Sequence, residues 1–221
     1  MLIECGTDLA AQNNYGSTPL HLALQKGLID VACVLIERGV DLTAQNKYGP
    51  TSLHLTLQQG HVDVARMLIE CSTGLAAQDN DGSTSLHLSL QEGQVDIARM
   101  LIERCAGLTA QNKYGSTPLH LALQQGRVNV ARMLIEHSTD LASQNNDGST
   151  PLHLASDWGQ GTRKRQSHIF IASLMTRPSS SPTFQRHHKS TTFAAAATNI
   201  INVDTASLPS SSSAPATHPH H

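Results

Sequence analysis

The sequence predicts an all-α solenoid of stacked helix-turn-helix units with projecting loops, followed by a disordered C-terminal tail. Three observations carry that expectation. A tetrapeptide, T-[PS]-L-H, recurs at a fixed step of 33 residues, with its histidine at His21, His54, His87, His120 and His153. Apolar residues inside each step follow a helical period. The pattern is lost after Gly159, and the chain turns to Ser, Pro, Thr, Ala and His from residue 177 onward.

On this period the units run 13–45, 46–78, 79–111 and 112–144. A partial repeat (second helix and loop) occupies 1–12, and another (first helix) occupies 145–160. In the first unit, Thr18 suits the N-cap, because its hydroxyl can accept an otherwise orphaned N–H of the first turn. Pro19 follows at the first helical position, where its missing N–H costs nothing. Leu20, Ala23 and Leu24 then form the apolar stripe of a short helix that stops before Gly27. A second helix carries Ile29, Ala32, Leu35 and Ile36 and ends near Gly39. Val40 to Gly49 is turn-rich, with Asn46 and Gly49 as breakers. One such hairpin cannot bury its apolar face alone, whereas a stack shares one continuous core.

The pattern D/N-x-x-G-x-T-P-L-H-x-A, then a glycine, then a helix of V-A-R-M-L-I-E type, resembles the ankyrin repeat over about residues 1–160. The near-identical units are similar to those of long fungal-type intracellular ankyrin arrays. The resemblance implies an ankyrin-repeat solenoid of antiparallel helix pairs with β-hairpin-like finger loops, and a concave face of fingers and first helices on which partner proteins dock. Two departures matter. The left-handed position after the second helix, glycine at Gly6 and Gly39, is Ser72, Cys105 and Ser138 in later units. A non-glycine there costs about 1 kcal/mol unless the helix ends differently. Ser52 and Ser85 replace the motif proline.

Residues 1–160 hold nine Lys/Arg against sixteen Asp/Glu, a net of −7; residues 161–221 hold six against one, a net of +5. An acidic body argues against nucleic acid as the main partner, since phosphate binding needs a basic face. Cys5, Cys33, Cys71 and Cys105 form no C-x-x-C pair and are read as free thiols in a reducing compartment. With no signal peptide, no apolar run of membrane-spanning length and no N-x-S/T sequon, the expected setting is cytoplasmic and away from the membrane. Arg163, Lys164 and Arg165 form a weak basic cluster that leaves a nuclear location open.

Met1-Leu2-Ile3-Glu4 aligns with Met67-Leu68-Ile69-Glu70, inside a second helix, so a longer array with an effector or enzymatic domain elsewhere is the alternative expectation. Residues 161–176 contain the apolar stretch from Ser167 to Met175, a candidate makeshift cap or equally a disordered sticky segment. Residues 177–221 are low in complexity and cannot bury enough apolar surface to offset their ordering entropy.

No catalytic set emerges. The motif histidines lie one whole repeat apart, with no carboxylate or cysteine travelling at metal-ligand spacing, so a structural hydrogen-bonding role is expected of them. His218, His220 and His221 sit in a tail without fixed geometry. No phosphate-cradling loop, nucleophile elbow or metalloprotease motif is present, and the expectation is a non-catalytic, monomeric scaffold without cofactor or metal.

The binding surface is read from what varies between units. Leu20, Leu53, Leu86 and Leu119 are identical, as are Leu35, Leu68, Leu101 and Leu134. Finger tips differ: Asn14-Tyr15, Lys47-Tyr48, Asn80-Asp81, Lys113-Tyr114 and Asn146-Asp147. So does the end of the first helix, at Lys26, Gln59, Glu92 and Gln125. Tyrosine gives a large, stiff contact area at low entropic cost. Tyr48 and Tyr114 are therefore expected to anchor a protein partner, with Lys47, Lys113, Asp81 and Glu92 setting charge preference; the alternative is that Tyr15, Tyr48 and Tyr114 pack on neighbouring fingers.

Overall fold

A computed structural model of the chain describes residues 8–72, 74–137 and 140–159. These residues form four helix pairs and a final single helix. The pairs are α1 (Pro19–Gln25) with α2 (Ile29–Glu37), α3 (Ser52–Gln58) with α4 (Val62–Cys71), α5 (Ser85–Gln91) with α6 (Val95–Glu103), and α7 (Pro118–Gln124) with α8 (Val128–Glu136). The last helix is α9 (Pro151–Gly159). Helices of seven to ten residues are too short to persist alone in water. Their stability comes from neighbours: α1, α3, α5, α7 and α9 pack in series, α2, α4, α6 and α8 do the same, and each pair packs internally.

The first helices start as the sequence predicts. Thr18, Thr51 and Thr84 hold extended backbone, and each hydroxyl accepts the N–H of the histidine three residues on. They stop through a glycine at positive φ, with Gly27 N–H bonded to Leu24 O and Leu28 N–H to Ala23 O. Every first helix from α1 to α7 repeats this closure. The second helices lack a side-chain cap at their N-termini; Asp30, Asp63 and Asp96 in their first turns place negative charge against the exposed N–H groups.

The second helices end in two ways. After α2 the chain passes through Gly39 at φ +70°, and after α6 through Cys105 at φ +52°. In both, the next N–H reaches back five residues, as in Ala106 N–H to Leu101 O at 3.0 Å. After α4, Ser72 is extended at φ −100° and ψ 146°, and the helix runs one residue longer instead. The expected strain is thus carried by Cys105 and avoided at Ser72. Gly6, Ser138, the stretch 1–7, the candidate cap at 161–176 and the tail at 177–221 lie outside the described residues.

The core is one band along the stack. The two leucine columns are buried throughout, joined by Ala32, Ala65, Ala98 and Ala131, where the small side chain lets helices approach closely. Val64, Ile97 and Val130 are buried, whereas their counterpart Val31 is 39% exposed. The β-hairpin-like character of the fingers is slight: among the described residues it amounts to single antiparallel bridges, Gln45 with Thr51 and Gln78 with Thr84.

Candidate partner-binding face

Each finger is a tight turn organised by one side chain. The Oδ1 of Asn13 accepts the N–H groups of Tyr15 (2.9 Å) and Ser17 (3.0 Å), and Asp79, Asn112 and Asn145 repeat the arrangement. Asn46 accepts only from Tyr48, at 2.8 Å, because Pro50 stands where the others have serine and offers no N–H.

Adjacent fingers are joined directly. Lys47 N–H donates to Tyr15 O at 2.9 Å, Lys113 N–H to Asp81 O at 2.7 Å, and Asn146 N–H to Tyr114 O at 2.9 Å. Asn80 and Asn146 add side-chain amide bonds to the carbonyls of Lys47 and Lys113. Gln45, Gln78 and Gln111 each donate a side-chain amide to the carbonyl of the glutamine 33 residues later. This glutamine ladder escaped the sequence reading. Its signal was a glutamine constant at every repeat in a polar loop, where no apolar stripe demands it.

The motif histidines fasten the base of the fingers. His54 Nδ1 accepts the Thr51 N–H at 3.2 Å, while Nε2 donates to Ser83 O of the next repeat at 3.1 Å. His21, His87 and His120 make the same bridge to Pro50, Ser116 and Ser149. An acceptor Nδ1 and a donor Nε2 define a neutral imidazole. Burial, only partly offset by the carbonyl bond, holds the pKa of all four below the ordinary histidine value. The structural role expected of these histidines is the one observed. Among the described residues no three His, Cys, Asp or Glu side chains converge as for a metal ion. Cys33, Cys71 and Cys105 are free thiols, and no described helix is long and apolar enough to cross a membrane.

The geometry of the repeats agrees with comparison to known families. A family described as "Ankyrin repeats (3 copies)" matches residues 39–111 and 105–164, and one described as "Ankyrin repeats (many copies)" matches residues 2–56. The chain belongs to the ankyrin repeat family. Comparison with curated proteins gave no match. Ankyrin repeats are generally protein–protein interaction modules, typically without catalytic activity of their own.

On this ankyrin stack every residue singled out for partner binding is exposed. Lys26, Gln59, Glu92 and Gln125 cap the C-termini of α1, α3, α5 and α7. Tyr15, Tyr48 and Tyr114 retain 59%, 62% and 59% of their accessible surface. Their surroundings differ. Tyr15 stacks on Tyr48 with ring centroids 6.4 Å apart, so packing between fingers and exposure to a partner coexist there. Tyr114 instead lies under the Lys113 ammonium, 5.2 Å from its centroid. Lys113 also pairs with Asp81 of the preceding finger at 3.0 Å, so these two charges, read separately from the sequence, are brought together.

Proposed function

We propose that this chain is a non-catalytic scaffold that binds a partner protein through the face formed by its fingers and first helices. Tyr48 and Tyr114 are the anchors, flanked by Tyr15, Lys26, Lys47, Gln59, Asp81, Glu92, Lys113 and Gln125. One observation carries the reading: three tyrosines stand largely exposed on fingers whose backbones are hydrogen-bonded to one another, so little further order must be imposed on binding. The free thiols support a reducing, cytoplasmic setting for the encounter. The test replaces Tyr48 and Tyr114 together by Ala and follows folding by circular dichroism beside partner capture from lysate. An intact fold with lost capture supports the proposal. Unchanged capture moves the interface elsewhere.

A further inference from the structure

The body's negative charge is unevenly placed. Residues 9–29 and 42–62, which build the fingers and first helices of the first two repeats, contain no Asp or Glu. They contain Lys26 and Lys47. Of the carboxylates that flank these stretches, Asp8 and Asp41 accept from Ala10 N–H and Thr43 N–H within their own loops, and Asp30 and Asp63 stand in the first turns of α2 and α4. The corresponding stretch of the third repeat, 75–95, carries Asp79, Asp81 and Glu92 with no Lys or Arg.

Lys47 and Lys113 occupy the same place in their repeats but meet different neighbours. A lysine there faces the tip residue of the preceding finger. For Lys113 that residue is Asp81, which neutralises it. For Lys47 it is Tyr15, which stacks on Tyr48 instead. Among the described residues neither Lys47 nor Lys26 takes part in an ion pair. Two ammonium groups outside any ion pair and a pair of stacked, exposed rings therefore stand on fingers and first helices that carry no carboxylate of their own.

We infer that the first two repeats dock an acidic peptide segment of a partner protein, its carboxylates read by Lys26 and Lys47 and its apolar side chains by Tyr15 and Tyr48. This rests on the face proposed above and narrows it to one half and one charge. The test pans a random dodecapeptide phage library on the full chain. Enriched sequences are expected to be net negative, and binding of the synthetic winners to weaken with salt. K26Q/K47Q should weaken them at least tenfold with an unchanged circular dichroism spectrum, and R99Q, at an exposed position of the second helix α6, less than twofold. Absence of enrichment, neutral or basic winners, or equal loss with R99Q overturns the inference. So does a single-stranded oligonucleotide that displaces the winners at lower concentration than they bind, because the site would then read phosphate. If capture depends on Tyr48 and Tyr114 while the winners are not acidic, the face stands and its charge preference falls.

Discussion

The ammonium of Lys113 lies 3.0 Å from the carboxylate of Asp81, one finger earlier in the stack, and the two are exposed to solvent. The bond to Asp81 raises the lysine pKa above its ordinary value. Asp81→Asn is expected to return the Lys113 titration toward that of a free lysine, read by NMR of the side-chain carbons. The melting temperature should hardly change, since exposed pairs contribute little to stability. A large loss of stability would mean that the pair braces the fingers.

Acid should loosen the stack. The four clamping histidines have folded-state pKa values below 6.5, so the unfolded chain takes up protons first as pH falls. Their contribution is complete above about pH 6.5 and is lost as pH falls through the folded values. The urea midpoint is expected to be lower at pH 5 than at pH 7.5. His87→Gln should flatten that dependence and cost about 1–3 kcal/mol at neutral pH, because a buried clamp is broken. An unaltered dependence in the variant would show that the His87 clamp takes no part in the acid effect.

Two serines stand where a proline would fit. Ser52 and Ser85 occupy the first position of α3 and α5, whose N–H has no helical partner, and Thr51 and Thr84 before them are extended, as proline requires. The Ser52 hydroxyl is buried without a hydrogen bond. Ser52→Pro and Ser85→Pro should each stabilise by about 0.4–1 kcal/mol, measured by denaturant unfolding. Destabilisation by either would reveal a required N–H.

The left-handed positions predict opposite outcomes for opposite changes. Cys105→Gly removes a side chain from φ +52° and should stabilise by about 1 kcal/mol. Gly49→Ala should destabilise by more than that. Its backbone sits at φ +87°, and an added Cβ would lie 2.5 Å from the backbone nitrogen of Asn80 on the next finger. Thermal melts of the two variants decide both.

The helices were legible because each leucine column serves a single purpose, and Thr18 and Gly27 bracket a helix through local chemistry alone. The ends of the second helices were only half legible. A residue such as Ser72 can lengthen its helix, whereas Cys105 accepts strain, and nothing local distinguishes them. Pairing across fingers lay further out of reach. Whether Lys47 or Lys113 finds a carboxylate depends on residue 15 or 81, which becomes a neighbour only once the repeats are stacked. The glutamine ladder was hidden for another reason: a constant polar residue in a loop looks like solvent-facing filler until its acceptor is seen.

Each histidine clamp reaches 29 residues ahead, from His21 to Pro50, His54 to Ser83, His87 to Ser116 and His120 to Ser149. That constant reach makes the array tolerant of one kind of genetic accident and intolerant of another. Unequal recombination that duplicates or removes a 33-residue unit within the array restores a threonine, a histidine and a waiting carbonyl at every new junction. Loss of a single codon between histidine and carbonyl would leave one junction without its clamp. Array length can therefore drift in whole repeats without passing through a misfolded ancestor, and the tip residues are then free to diversify on a frame already closed.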